Sequence, residues 1–300
     1  SWWTGSVILF NACAIATGIG TSFLCLRVGH IYGRIGLHDS MLNASVAVVL
    51  AMFLYFVGIG LPQPLDMVFI AILPVLAALV LCLPGHEQEQ LFEEKFAHRH
   101  LGDNFPARKL YTRLLIALGI IALAAGISKG LVSYVGGGSD FFGSGLTVTF
   151  GVGLAALLIA AITCTGRSIE RVARAYSVFM VFIVVVFLAS DFGFDLVYLN
   201  IGKDALYLIF TCLLAYVVMR FELSPCRLFG FGQGVYFLCS AFGWLIGAGM
   251  SGVQSDDKTY LFFSFAFALV FIFVLVFVFT ENHVKQIGDD SLLTLEGPAA

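Results

Sequence analysis

The chain has 300 residues, 60% of them hydrophobic and only 12% charged, with a mean hydropathy of +0.97. Soluble domains run at about 45–50% apolar and about 25% charged, so a chain of this composition cannot cover its own surface with polar groups. Sixteen Lys and Arg against nineteen Asp and Glu leave a formal net charge of −3, which excludes the concentrated basic patch needed to neutralise nucleic-acid phosphates.

Crossing about 30 Å of hydrocarbon takes roughly 20 helical residues. The chain begins at Ser1 and runs through Trp2 and Trp3 straight into an apolar stretch. A basic leader and a small-residue cleavage site, the marks of a signal peptide, are not seen; the start reads as a truncation with earlier residues missing. Three apolar stretches come first, at 7–26, 44–61 and 67–83. The segment 84–109 (PGHEQEQLFEEKFAHRHLGDNFPARK) follows, with Glu87, Glu89, Glu93 and Glu94 ahead of Lys95, His98, Arg99 and His100. Such mixed charge suits a solvated connector or a short amphipathic surface helix. Six more apolar stretches follow, at 110–132, 146–164, 177–190, 206–219, 230–250 and 260–279. Two of these are short and are expected to extend into 191–194 and 197–201. A polar tail, 280–300, closes the chain.

Thirteen of the sixteen Lys and Arg fall in alternate loops and flanks, and only Lys129, Lys203 and Lys258 fall on the other side. Basic residues concentrate on the cytoplasmic side of membrane proteins, so segment 84–109 and the C-terminus are expected in the cytoplasm and Ser1 outside. The prediction is an all-α polytopic membrane protein of about nine transmembrane helices. It divides into three helices (1–83), a central cytoplasmic loop (84–109), a six-helix half-bundle (110–279) and a cytoplasmic tail or linker (280–300). A long loop splitting the chain three plus six, with an outside start, reads as a six-plus-six bundle lacking its first three helices.

Ionisable residues within a membrane helix usually mark ion or proton pathways. Eight of the nine expected cores carry none, and Asp191, Asp195 and Asp204 read as lying outside or at the outer rim. Lys129, near the outer end of the 110–132 stretch, can snorkel to the interface; alternatively it faces an outward cavity or partners Asp140 or Asp191. The eighth stretch holds Gly243 and Gly247, a small-x-x-x-small pair that lets two helix backbones approach, with a ligand-gating hinge as the alternative. Trp244 and Gln233 on the same helix could line a cavity. Asn11 and Tyr216 are polar groups inside apolar runs that need an interhelical hydrogen bond or a ligand. In a two-halved bundle Asn11, Lys129, Tyr216 and Trp244 are the candidate ligand contacts. The seven Cys show no C-x-x-C pair, and the six His lie in expected loops or the tail, with no metal-ligand spacing. Nothing resembles a catalytic set, so the reading is a non-enzyme with no cofactor. Its partners are the bilayer and a small molecule of unknown identity.

Gly29-His-Ile-Tyr-Gly33-Arg34-Ile-Gly36, with Gly in place of Asp, and the looser Gly166-Arg167-Ser-Ile-Glu170-Arg171 resemble the major facilitator signature Gly-x-x-x-Asp-Arg-x-Gly-Arg-Arg. The architecture resembles that fold over nearly the whole chain. The Phe-rich helices, the Gly-rich eighth stretch and the ending FVFVFTENHVKQI are similar to a set of LuxR-type regulators of gut actinobacteria. That resemblance implies a facilitator-like sensor in the bacterial inner membrane, with Thr280, Glu281 and Lys285 opening a linker to a helix-turn-helix further along the parent protein. The 300 residues contain no such DNA-binding unit, and a transporter fragment is the alternative that the facilitator resemblance implies.

Overall fold

The computed structural model describes residues 7–33, 35, 37–82, 105–135, 140–165, 169–189, 198–220, 225–250, 266, 269–280 and 282–283. Among these every regular element is helical. The elements are α1 (Val7–Tyr32), α2 (Leu37–Gly60), α3 (Leu65–Cys82), α4 (Phe105–Val135), α5 (Asp140–Cys164), α6 (Ile169–Ala189), α7 (Leu199–Arg220) and α8 (Pro225–Met250), then a π-helical turn at Val274–Val278. Each overlaps an apolar stretch, but most run beyond its edges. The connector expected at 84–109 is helical from Phe105, with Pro106 in the first turn, where a missing N–H leaves no bond unmade; its residues 84–104 lie outside the described residues. Helix α6 grows backwards to Ile169, through Arg171 and Arg174, while the extension expected at 191–194 lies outside the described residues. Helix α7 starts at Leu199, within the expected extension. A hydropathy profile stops at the first charge, whereas backbone hydrogen bonding continues into the polar zone.

Among the described residues, five helices contain a stretch long and apolar enough to cross a membrane: Leu37–Gly60, Arg108–Gly130, Gly145–Cys164, Asn200–Val217 and Leu228–Met250. Helix α3 carries a shorter one, Leu65–Val80, with Pro74 inside it. Large apolar side chains such as Phe23, Ile70, Leu79, Phe150, Val185 and Leu238 stand exposed on the outside. An apolar jacket of this extent is what lipid, not water, would cover. These are the helices of a multi-pass membrane protein. The stretch Asn200–Val217 is 67% buried, against 22% for those of α2 and α5, which makes α7 the centre of the bundle. Helix α7 touches α1, α2, α4, α5, α6 and α8.

The longest contact joins α4 to α8. The Tyr111 hydroxyl donates to the Leu228 carbonyl at 2.7 Å. Further along, a Cβ on Gly119 would sit 3.4 Å from Cys239 Sγ, and one on Gly126 or Gly130 would run into the backbone of Ser240, Trp244 or Ala248. From α8, a Cβ on Gly243 would strike the Leu123 carbonyl oxygen. Residue numbers rise together on both helices, so they run parallel, as two helices separated by three antiparallel crossings must. Gly29, which opens the facilitator-like segment, lies under the Phe229 ring where α1 meets α8; Arg34 and Gly36 lie outside the described residues. Helices α2 and α5 pack antiparallel, with Gly153 against Met52 Sδ and Gly145 near the Tyr55 hydroxyl. His30 is not in a loop but buried inside α1, and His38 lies in the first turn of α2.

Candidate functional site: a cavity beside a buried ion pair

An apolar cavity of about 480 Å³ lies between α2, α5 and α7, with Tyr32 of α1 at its edge. Helix α2 lines it with Ala44, Ala47, Val48 and Ala51, and α5 with Val152, Ala156 and Ile159. Helix α7 adds Asp204, Ala205, Tyr207, Leu208 and Thr211, spaced to keep one helical face on the cavity. The small alanines of α2 leave the space open. The few polar groups are Tyr32, Asp204, Tyr207 and Thr211, the mixture that small-molecule sites show: a mostly apolar wall with a few groups to fix orientation.

Asp204 belongs to a polar cluster reaching from this cavity to α4 and α8. Its Oδ1 accepts from Lys203 Nζ at 2.7 Å; the Lys203 side chain is 6% exposed and that of Asp204 36%. The Tyr236 hydroxyl of α8 lies within electrostatic reach of Lys203, and the Lys129 ammonium of α4 approaches both Lys203 and Asp204. The Tyr207 hydroxyl donates to Gln233 Oε1 at 2.6 Å, with its ring 4.3 Å from that of Tyr236. Charges within a membrane-capable helix persist when paired with one another. Asp204 lies within α7, in its second turn, and not in the loop before it. It sits within the Asn200–Val217 stretch and lines the cavity.

A second cluster closes the bundle at its other end. The last helix ends in the π turn, sealed by Phe279 N–H to Val274 O at 3.0 Å, and Phe279 leaves it in an extended conformation. The Tyr176 hydroxyl donates to the Phe279 carbonyl at 2.6 Å. The rings of Tyr176 and Phe210 lie 5.6 and 5.7 Å from that of Phe279. Arg113 donates to His283 Nε2, the Thr280 N–H donates to His283 Nδ1 at 3.0 Å with Thr280 Oγ1 2.9 Å from the same nitrogen, and the His283 ring stacks on Phe279. Burial, then the charges of Arg113 and Lys109, hold the His283 pKa below its ordinary value.

Of the four candidate ligand contacts, Lys129, Tyr216 and Trp244 are not among the residues that line this cavity. Lys129 joins the ion-pair cluster; its alternative partners, Asp191 and the side chain of Asp140, lie outside the described residues. Tyr216 accepts from Arg220 Nη1 at 3.1 Å. It stands twelve residues along α7 from Asp204, about 18 Å at the helical rise. Trp244 is 44% exposed, because the face of α8 that meets α4 carries Gly243 and Trp244 is turned about a quarter circle from it. Asn11 lies in α1, its side chain outside the described residues. Gln233, raised as a possible cavity residue, instead holds Tyr207. Sequence reasoning missed Lys203, Tyr207 and Thr211 and did not bring Asp204 to a cavity. The signal for the ion pair was present, since extending the 206–219 stretch back through 197–201 already encloses Lys203 and Asp204.

No family model matches the chain, and no curated protein or solved structure matches it significantly.

Proposed function

We propose that this chain is the ligand-sensing part of a membrane-anchored transcription regulator of the LuxR type. In this reading nine transmembrane helices form a facilitator-like bundle that lacks its first three helices. It lies in the bacterial cytoplasmic membrane with the C-terminus in the cytoplasm. It binds a small molecule without transforming it, and the tail leads to a DNA-binding domain elsewhere in the parent protein.

The observation that carries this reading is the position of α7. One face lines the cavity through Asp204, Tyr207, Leu208 and Thr211. Phe210, between them in sequence, packs against Phe279, the residue from which the tail departs. A shift of α7 on ligand binding thus acts directly on the start of the tail. The cavity also lies between α1–α2 and α5–α7, where a two-halved bundle keeps its ligand site. Differential binding to two arrangements of α7 is all the mechanism requires.

A second reading, a facilitator-type transporter fragment, is favoured by Asp204. A carrier driven by protons needs a titratable group in the bundle, and Asp204 is a carboxylate on the cavity wall. The parent gene separates the two: a helix-turn-helix encoded shortly after Ala300 supports the sensor, and a stop codon there favours the carrier. Uphill uptake by the intact protein in vesicles, collapsing with a protonophore, would establish the carrier and overturn the sensor.

A further inference from the structure

Resting on the reading of the cavity as a ligand site, we infer that its ligand is an uncharged apolar molecule carrying a hydroxyl group, which donates to the Asp204 carboxylate. The argument starts from the walls. Ala47, Ala51, Ile159 and Leu208 offer only apolar contact over a volume of about 480 Å³, which suits a compact drug-sized body. The polar end of the cavity is asymmetric. The Lys203 ammonium is shut away, 6% exposed, whereas the Asp204 side chain is 36% exposed and lines the cavity. Lys203 occupies one acceptor site on Oδ1, and an ionised carboxylate has about four. The wall therefore presents an acceptor with capacity to spare.

Charge then selects the donor. A ligand ammonium would add a third cation beside Lys203 and Lys129, against one carboxylate among the described residues of the cluster. A ligand carboxylate would meet the Asp204 oxygens before it reached either lysine. Both charged forms would also lose their hydration in an apolar cavity, at a cost far above that of a hydroxyl. A hydroxyl donates to the free acceptor sites and leaves the charge balance of the cluster unchanged.

The test uses one skeleton with four head groups: adamantane, 1-adamantanol, 1-adamantylamine and 1-adamantanecarboxylate, added at pH 7 to the full chain in lipid nanodiscs. Binding to the folded state raises the melting temperature by an amount that grows with RT ln(1 + L/Kd), L being the free ligand concentration. The alcohol is expected to act at a concentration at least tenfold below the other three. Its advantage should shrink in Asp204→Asn, whose neutral amide oxygen is a weaker acceptor than a carboxylate, and disappear in Ala51→Trp, which fills the cavity. If Asp204→Asn does not fold, the ranking of the four head groups on the unaltered chain decides alone, and Ala47→Phe replaces Ala51→Trp if that variant does not fold. An amine or a carboxylate that acts as well as the alcohol, and is blocked by the filled cavity, would overturn the hydroxyl assignment while leaving the ligand site intact. Protection by none of the four, or protection that persists in the filled cavity, would overturn the ligand site and this inference with it.

Discussion

Two glycines of α8 offer the same substitution with opposite expected signs. At Gly243, a Cβ would strike the Leu123 carbonyl oxygen and stand 2.9 Å from Ile127 N, so the obstacle is helix backbone. At Gly234, nothing lies within 4 Å of the added atom. Replacing Gly by Ala in a helix interior gains about 1 kcal/mol in helix propensity, and Gly234→Ala should show that gain. Gly243→Ala has the same propensity gain but must separate α4 from α8. Overpacking of this kind typically costs about 1–3 kcal/mol, and the cost lies toward the upper end when backbone has to move. The two variants should therefore differ by about 2–3 kcal/mol. For chains of about 150–250 residues each kcal/mol moves the melting temperature by about 2–4 °C, so Gly243→Ala should melt several degrees below Gly234→Ala in nanodiscs. If Gly243→Ala melts no lower, the close α4–α8 packing is wrong.

Tyr111→Phe and Tyr176→Phe each remove a hydroxyl that satisfies a backbone carbonyl, and each should lower stability by about 0.6–2 kcal/mol in thermal melts, the range for interhelical hydrogen bonds in lipid. Asp204→Asn leaves the buried Lys203 without its counter-charge. A fully dry pair costs about 3–5 kcal/mol to break in this way; with Asp204 part-exposed the expected loss is about 1–3 kcal/mol, and Lys203→Met combined with Asp204→Leu should recover most of it. His283 has a folded pKa below its unfolded value, so its contribution is complete above about 6.5 and is lost as pH falls through the lower folded value. Melting temperature should fall on acidification below about pH 6.5, less steeply in His283→Gln, and equal slopes for the two would refute the assignment. A reporter fused after Ala300 should be active in the cytoplasm and one inserted within residues 136–143 should report from outside; the reverse at either point would refute the helix order.

Apolar stretches were legible because lipid demands them, and each described helix overlaps one. Helix ends were not, because charged residues such as Arg171 and Arg174 continue a helix that hydropathy says has ended. The spacing of Gly243 and Gly247 marked the face of α8 that meets α4, yet it could not say that Gly119, Gly126 and Gly130 supply the opposing surface, since neither sequence names its partner. For the same reason the sequence did not show which way Trp244 turns: beside a glycine that faces another helix, its large side chain points outward. The cavity was illegible altogether. Ala47 and Ala51 read as ordinary small helix residues, and only the approach of α5 and α7 makes their missing volume a space. Lys203 and Asp204 are adjacent in sequence, where helical side chains do not ordinarily face each other. Their pairing depends on the long lysine chain and on the company of Tyr236 and Lys129 from two other helices.

The central claim is that the cavity and the start of the tail are joined through α7. Amide hydrogen exchange measured in nanodiscs at residues 279–283, in the unaltered chain and in Ala51→Trp, tests it most directly, because the added indole stands in for a ligand without contacting the tail. The account predicts that exchange at these amides changes at least fivefold when the cavity is filled. Superimposable exchange in the two proteins, with Ala51→Trp folded, would contradict it.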